Sequence, residues 1–323
     1  MEENIQRKRR RKKKKFGIGK IIISILLFII IVSLVLIGYF FYKLNQLDTE
    51  VHKPLEREKS ELREKTVETK DGDAISIAIF GVDSDADRNA VGGGERSDSI
   101  ILLSINPEDK KSVMVSVPRD TRAEIVGYGT VEKINHAYAY GGPEMAVNSL
   151  ERLLNVPIDD YVSINMDGVK DLVDTVGGVD VVSNGTFTVK GNSYVEGETY
   201  HMYGDEALTF MRSRYEDGSG GDFGRQNRQQ IVLEAMVNKM ASIGSIGRVN
   251  DIFNALGNNM TTSVRVSQID ELMIDYLPAR KDMEKYQLEG DGGILDDGLW
   301  YFLPYDESIN EISNAYRQNL GLE

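Results

Sequence analysis

The sequence predicts an α/β domain behind a single transmembrane helix, and three features of the 323-residue chain support this. An uncharged apolar run covers 21–42. Short apolar runs alternate with helical patterns after residue 74, which is typical of an α/β fold. The chain has no cysteine, so a packed core must stabilise the domain without disulfides. We expect four parts: a basic cytoplasmic arm at 1–20, a transmembrane helix at 21–42, a charged stalk at 43–73 and one large domain at 74–323.

The first 42 residues have the pattern of an uncleaved membrane anchor. The run from Ile21 to Tyr42 contains 22 residues without a charge, and as a helix it would span about 33 Å, enough to cross a bilayer core. A cleaved signal peptide would have a shorter apolar region followed by a small-residue cleavage site. Because a basic block, from Arg7 to Lys20, precedes the run, we expect the N-terminus in the cytoplasm and the domain outside the cell membrane.

The net charge of −13 is distributed unevenly along the chain. Residues 1–20 carry ten Lys/Arg and two Glu, which leaves 28 Lys/Arg against 49 Asp/Glu in the remainder. A basic arm can bind nucleic acid, but the position of this one beside an apolar run already explains it. We therefore expect no nucleic-acid partner. In a domain this acidic, a local cluster of arginines is informative.

The segment between the anchor and the domain is expected to be a stalk. It is highly charged and nearly lacks aromatic residues, which is typical of chain outside a packed core. A helix is expected within it at about 55–66. The folded domain begins at residue 74, where a continuous apolar run starts.

Three strands are predicted at the start of the domain, at 74–83, 99–106 and 112–117. Only five residues separate the second strand from the third, so we expect an antiparallel hairpin. If the first strand pairs with the second in the opposite sense, one end of each strand lies at the same sheet edge. Asp83, Asp98 and Arg119 would then meet there, beside a glycine-rich loop.

Helical and strand patterns alternate through the rest of the domain. A helix is expected to start at Pro143, a favourable first position, with Leu150 and Leu154 on its apolar face. Further elements are predicted as a strand at 161–165, a helix at 166–176, a strand at 179–183, a short helix at 204–214 and a long helix to about residue 242. Asp222 is expected to be the N-cap of that long helix. Residues 243–323 indicate two more helices and short strands.

Four arginines gather in one short stretch of this otherwise acidic domain. Arg212 and Arg214 end one predicted helix, and Arg225 and Arg228 begin the next after a glycine-rich break. Gln229 shares a face with Arg225, near the positive end of the helix dipole. Arginine side chains at a helix N-terminus are suited to bind phosphate oxygens. An ordinary solvated helix face would show the same spacing, so the cluster alone leaves both interpretations open.

Two aspartates would be unfavourable in a site for phosphate alone. The carboxylates of Asp83 and Asp98, expected at the same sheet edge, would repel a phosphate. A divalent cation resolves this conflict, since Mg²⁺ is commonly bound by one or two carboxylates together with phosphate oxygens. The residues therefore indicate a pyrophosphate or phosphodiester that arginines hold and that Mg²⁺ bridges to both aspartates.

Several motifs occur together in a fixed order between about residues 75 and 242. In chain order they are FGVDS, ERSDSIILLSINP, VSVPRDT, EKINHAYAYGG, DDYVSINMDGVKDLVDTVGGVDV, ALTFMRSR and DFGRQNRQQ. With this ordered set behind a basic arm and one anchor, the chain resembles the LytR-CpsA-Psr (LCP) family of cell-wall phosphotransferases. The order is specific, although no single motif is decisive.

The resemblance implies an α/β/α sandwich with a central mixed sheet and an active site for polyprenyl (pyro)phosphate. It implies Mg²⁺, with Mn²⁺ as the alternative ion, beside Asp83 and Asp98, which match the metal-associated aspartates. The positions that match the pyrophosphate-contacting set are Arg119, Arg212, Arg214, Arg225 and Gln229. Three further positions match the family near the site, namely Arg96, Lys133 and Asp222. The expected catalytic residues are Asp83, Asp98, Arg119, Arg212 and Arg214.

The resemblance also implies a reaction. An anionic glycopolymer, such as wall teichoic acid or capsule, would pass from an undecaprenyl-pyrophosphate carrier to a sugar hydroxyl of peptidoglycan. A nearby aspartate would take the proton of that hydroxyl, with Asp98 and Asp222 as candidates. The carrier's lipid tail needs an apolar groove, which the sequence does not locate.

Three other functions use the same sequence features. A pyrophosphatase would release polyprenyl phosphate to water with the same residues. A non-catalytic surface module would bind anionic wall polymer without turnover. A transcription regulator is the third, and the predicted anchor argues against it.

Overall fold

The computed structural model describes residues 51–83, 94–243, 252 and 256–322. The predicted basic arm, the transmembrane helix and the first part of the stalk lie outside the described residues. Among the helices within the described ranges, none is long and apolar enough to cross a membrane.

Strands and helices alternate through the domain. The strands are β1 (Ile75–Asp83), β2 (Arg96–Asn106), β3 (Lys111–Ser116), β4 (Arg122–Ile125), β5 (Thr130–Lys133), β6 (Asp160–Asn165), β7 (Val179–Val182), β8 (Phe187–Val189), β9 (Asn192–Tyr194), β10 (Thr199–Met202), β11 (Met260–Thr262), β12 (Met283–Gln287), β13 (Gly290–Ile294) and β14 (Trp300–Pro304). The longer helices are α1 (Asn135–Leu154), α2 (Met166–Thr175), α3 (Gly204–Arg212), α4 (Gly221–Ile243) and α5 (Asp306–Asn319).

A mixed sheet forms the centre of the fold. In the described part of the chain its six strands have the order β11–β6–β1–β2–β3–β12. β2 pairs antiparallel with both β1 and β3, which confirms the predicted hairpin and the predicted sense of the first strand. β6 and β12 join the sheet parallel to their neighbours β1 and β3. The four remaining pairs, β4–β5, β7–β10, β8–β9 and β13–β14, are two-stranded ribbons around it.

The central sheet is covered by helices on both faces, because successive residues of a strand point to opposite sides. On one face, Phe80 of β1 and Leu102 of β2 pack with Leu150 of α1 and Tyr316 of α5 in one buried cluster. The opposite face, which includes Ile77, lies beneath α4. The predicted α/β class with a central mixed sheet between helices is therefore confirmed.

Two helix starts differ from the sequence prediction. α1 begins at Asn135, before Pro143, and contains a break at Gly141 and Gly142, where Gly142 has a φ of +64°. The proline therefore starts the second part of a longer helix. Asp222 lies inside the first turn of α4, where its carboxylate accepts from the side-chain amide of Gln226 instead of capping the backbone (2.9 Å).

The end of the chain contains helical turns and short strands, as predicted. Of the two helices expected after residue 243, α5 is present, and residues 252 and 256 are also helical, while most of 244–255 lies outside the described residues. The region before β12 forms short turns of mixed helical type: Val266–Gln268, Ile269–Glu271, Leu272–Tyr276 and Leu277–Lys281. The strands β11 to β14 agree with the short strands expected there.

The described part of the charged segment lies against the domain. Arg63 makes a two-pronged contact with Asp159, at 3.0 Å from Nε and 2.6 Å from Nη2, and both side chains are buried. Arg57 contacts Glu151 of α1 at 2.6 Å. The helix predicted at about 55–66 is not formed, and this stretch consists of bends and turns. Its arginines pair with the domain and not with residues one helical turn away.

Candidate active site

The ends of β1, β2 and β3 meet at one edge of the sheet, as predicted. Asp83 is the last residue of β1 and lies opposite Arg96, the first residue of β2. Arg119 follows β3 by three residues, and its Nη1 lies 3.0 Å from a carboxylate oxygen of Asp98. The structure therefore brings Asp98 and Arg119 together, with Asp83 at the end of the neighbouring strand.

A β-bulge places Asp98. Gly81 pairs with Ser99 and Val82 with Ser97, so that Asp98 is an extra residue of β2 without a partner on β1. A bulge bends its strand and turns the extra side chain in a new direction. Gly81 fits this close pairing, because a Cβ there would lie 2.9 Å from the Cβ of Ser99. The sequence prediction placed Asp98 just before the strand and missed the bulge.

A chain of alternating charges extends from Arg119. Its Nε lies 3.6 Å from Asp120, and the other oxygen of Asp120 lies 2.9 Å from Nζ of Lys133, at the end of β5. Burial is the strongest influence on Arg119 and lowers its pKa. The carboxylates of Asp98, Asp120 and Asp222 together outweigh burial and raise the pKa above its ordinary value. Arg119 is therefore a firmly held cation.

The start of α4 and the loop before it supply the other side of the site. Oδ1 of Asp222 lies 2.6 Å from Arg225 and 3.3 Å from Arg214. Burial lowers the pKa of Arg225, and the positive charges of Arg119 and Arg214 lower it further, although Asp222 opposes them. These arginines are thus close enough to repel one another, and an anion among them would relieve that repulsion.

Gln229 connects α4 to the sheet edge. It lies one turn after Arg225, and its amide oxygen accepts a hydrogen bond from the hydroxyl of Ser99 at 2.9 Å. Ser99 is the residue that follows the bulged Asp98. The predicted common face of Arg225 and Gln229 therefore points toward the strand ends.

Arg228 has a different role from its neighbours. Its side chain is fully buried and donates to the carbonyl oxygens of Ser213 and Ser219 and to Asn184. The guanidinium also lies 4.8 Å from the ring centroid of Phe187. Burial lowers the pKa of Arg228 to about 10. Arg228 thus holds the loop between α3 and α4 from the inside, away from the ion-paired cluster.

Two residues predicted for the site are less closely connected to the ion-paired cluster. Arg212 ends α3 with an exposed side chain, and no ion pair joins it to the cluster within the described residues. Arg96 is half-buried, and its Nε, like that of Arg225, is buried without a hydrogen-bond acceptor in the described part of the chain. A buried donor without an acceptor is costly, so phosphate oxygens would satisfy these two groups.

The carboxylate ligands at this edge suit a divalent cation only if oxygens of a bound substrate complete its coordination. Across the described ranges, no three Asp, Glu or His side chains gather as a metal cluster. Asp83 and Asp98 lie at one edge on neighbouring strands, and Asp98 also faces Arg119. Two carboxylates completed by phosphate oxygens and water suit Mg²⁺, which is seldom enclosed by protein ligands alone.

An apolar cavity of about 340 Å³ lies between the sheet and α4, and the sequence did not locate it. Leu233, Val237 and Met240 of α4 line one side, and Ile77 and Leu103 of the sheet line the other. These helix residues continue the face that carries the arginine and glutamine of the site, in steps of three and four. The sequence indicated that the apolar residues of this helix face inward. The cavity itself could not be predicted, because it is enclosed by parts of the chain that are distant in sequence.

The comparison with known proteins now decides the family. The sequence pattern of the LytR_cpsA_psr family matches residues 38–318 of this chain. The chain belongs to the LytR_cpsA_psr family. The resemblance drawn from the ordered motifs is confirmed.

Relatives within the LytR_cpsA_psr family include named transferases. A protein of Halalkalibacterium halodurans named polyisoprenyl-teichoic acid–peptidoglycan teichoic acid transferase TagU is 39% identical over 307 residues, which cover 94% of this chain and 99% of that protein. The crystal structure of B. subtilis TagU is 34% identical with a TM-score of 0.61, covering 77% of this chain and 97% of that one. A structure described as TagT bound to LIIa-WTA has a TM-score of 0.69 at 28% identity, covering 84% of this chain and 100% of that one.

Proposed function

We propose that this chain transfers an anionic glycopolymer from a polyprenyl-pyrophosphate carrier to peptidoglycan. The chain is an enzyme, a transferase of the LytR_cpsA_psr family. One observation carries the proposal: an arginine-rich polar site and an apolar cavity lie along a single face of α4. A lipid pyrophosphate likewise has a charged head group followed by an apolar tail.

The polar end of the carrier binds at the sheet edge. Arg119, Arg214 and Arg225 hold the pyrophosphate, and the phosphate oxygens compete with Asp98 and Asp222 for them. The glutamine one turn along α4 marks the change from polar to apolar lining. From Arg225 to Met240 the helix rises about 22 Å, which gives room for several isoprene units of the tail.

The reaction is a displacement at phosphorus. A hydroxyl oxygen of a peptidoglycan sugar attacks the phosphorus that carries the glycopolymer, and the bond from that phosphorus to the bridging oxygen breaks. Polyprenyl phosphate leaves, and the hydroxyl proton passes to a carboxylate, with Asp98 and Asp222 as the candidates. The fixed guanidinium groups stabilise the charge that develops on the transferred phosphoryl group.

Asp83 and Asp98 are the proposed ligands of Mg²⁺, with Mn²⁺ as the alternative ion. When bound, the ion would stabilise charge on the bridging and leaving oxygens. Its two carboxylates come from neighbouring strands, which fixes their separation. Asp83→Asn and Asp98→Asn are expected to remove the dependence of transfer on Mg²⁺ together with most of the activity, while thermal unfolding of the variants stays near that of the wild type.

The proposed location follows from the predicted anchor. A transmembrane helix at 21–42 with the basic arm in the cytoplasm holds the domain at the outer surface of the cell membrane. The membrane-bound carrier and peptidoglycan would then both be accessible on the side of the membrane where the domain lies.

The experiment is a transfer assay with the full chain in lipid nanodiscs. A carrier with labelled glycopolymer is supplied with and without peptidoglycan, and the label on peptidoglycan and the released polyprenyl phosphate are measured. The proposal predicts release that depends on peptidoglycan and equals the label transferred. Equal release without peptidoglycan would instead identify a pyrophosphatase, and binding without release would identify a non-catalytic module.

A further inference from the structure

Two exposed tyrosines near the active site lie face to face. The rings of Tyr128 and Tyr140 have centroids 4.2 Å apart and planes inclined by 22°, and 53% and 42% of the two residues is exposed. Tyr128 lies at the tip of the β4–β5 turn, where Gly127 and Gly129 adopt φ values of +86° and +79°. An exposed tyrosine alone is ordinary, but two stacked rings held by a tight turn form a rigid aromatic surface.

Polar groups fix the edge of this surface. Oε2 of Glu132 accepts a hydrogen bond from the hydroxyl of Tyr140 at 2.8 Å and lies 2.9 Å from Nδ1 of His136. Burial, followed by the hydrogen bond to Glu132 and then the negative charge of Glu132, raises the pKa of Tyr140 to about 12, so the hydroxyl remains a donor at neutral pH. A flat apolar face with hydrogen-bonding groups at its rim suits a sugar ring, which has apolar C–H faces and hydroxyls around its edge.

The aromatic surface and the phosphate site approach each other near Arg96. Glu132 and Lys133 are consecutive in β5, so their side chains point to opposite faces, with Lys133 paired with Asp120 in the site. A Cβ on Gly94 would lie 2.6 Å from the carbonyl oxygen of Ala139, so the chain just before Arg96 passes beside Tyr140. The positive charge of Arg96 is near enough to act on the Tyr140 hydroxyl. A sugar on these rings would therefore lie beside the site where the transferred phosphorus is held.

We infer that the stacked Tyr128–Tyr140 pair is the platform that binds the acceptor glycan, a sugar of the peptidoglycan strand, next to the phosphate site. This inference rests on the proposed function, because it assigns a place to the second substrate of that reaction. The carrier occupies the arginines and the apolar cavity beneath α4, whereas the platform lies on the β4–β5 turn and α1. The two substrates thus approach the strand ends from different elements.

The test uses the full chain in nanodiscs with a soluble, uncrosslinked peptidoglycan glycan strand as the probe. The variants are Tyr128→Ala, which removes one ring, and Tyr140→Phe, which keeps the ring and removes the hydroxyl. Tyr203→Ala is the matched control, because Tyr203 is a similarly exposed tyrosine that contacts His201 instead of the site. Glycan binding is measured by titration without carrier, and KM is measured separately for glycan and for carrier.

For Tyr128→Ala we expect Kd and KM for the glycan to rise by about three- to tenfold, with KM for the carrier unchanged. Tyr140→Phe should show a smaller rise and Tyr203→Ala none. Glycan affinity of Tyr128→Ala equal to that of the wild type would overturn the inference. So would an equal loss in Tyr203→Ala, or a rise confined to KM for the carrier, which would assign the platform to the transferred polymer.

The two proposals fail in different ways. If the wild type transfers no polymer, the proposed function is wrong, while the titration still reports whether the rings bind glycan. If the wild type transfers polymer and Tyr128→Ala has normal glycan affinity and KM, only the platform is wrong.

Discussion

Neighbouring arginines of the motif DFGRQNRQQ serve different purposes although they lie three residues apart. Arg225 is paired with Asp222 at the sheet edge, whereas Arg228 is buried behind the site and bonded to backbone carbonyls. One turn of helix therefore carries a residue that faces the proposed ligand and a residue that supports the loop beside it. Substitutions of Arg225 and of Arg228 should therefore have different effects, the first on ligand binding and the second on stability.

Arg225→Ala should weaken binding of the lipid pyrophosphate by about one to two powers of ten, because a charge-assisted contact to phosphate contributes about 1.5–3 kcal/mol. Arg225→Lys should restore part of the loss, since lysine keeps the charge but not the planar fork. Affinity is measured by titration of the carrier into the full chain in nanodiscs. Equal affinities for the wild type and Arg225→Ala would remove Arg225 from the site.

Arg228→Ala should instead lower the free energy of unfolding by about 3 kcal/mol or more, because it leaves buried carbonyls without their charged donor. Urea unfolding measures this change, with Arg225→Ala as the comparison. A normal unfolding curve for Arg228→Ala together with lost carrier affinity would show that the two roles are assigned the wrong way round.

The ends of the strands and helices position the residues of the site. The sequence predicts some of these ends correctly and misses others. The short connection between β2 and β3 predicted the antiparallel hairpin, and with it the meeting of Asp98 and Arg119. The bulge at Asp98 was not predictable, because it depends on register against β1 and not on local pattern. Burial of Arg228 was likewise hidden, since Phe187 and Phe210 reach it from other elements.

The charged segment before β1 is predicted to be a structural part of the domain. Arg63→Ala leaves Asp159 buried without its partner, and breaking a buried pair costs about 3–5 kcal/mol. Arg152→Ala is the matched control, because Arg152 pairs with Glu124 on the surface, where ion pairs contribute little. Thermal unfolding of both variants measures the difference. Equal melting temperatures would show that the segment is only loosely attached.

The continuous helix α4 joins the two parts of the proposed lipid site. Its N-terminal end carries Arg225 and its later turns line the apolar cavity, so a single rigid helix sets the distance between the head and tail of one bound lipid. Membership of the LytR_cpsA_psr family was predictable from ordered motifs, because each motif is local. The cavity was not, since the sheet and the residues after 256 enclose it from remote parts of the chain.

The most direct test compares the affinity of the full chain for undecaprenyl pyrophosphate and for geranyl pyrophosphate. The wild type should prefer the long chain by at least about tenfold, because each buried CH₂ contributes roughly 0.8 kcal/mol. Val237→Asn, which places an amide in the cavity at nearly constant size, should lose much of that preference while still binding the short lipid normally. Asn238→Ala, at the adjacent exposed position, should behave as the wild type. A long-chain preference that survives in Val237→Asn would contradict the account, because the lipid tail would then lie elsewhere.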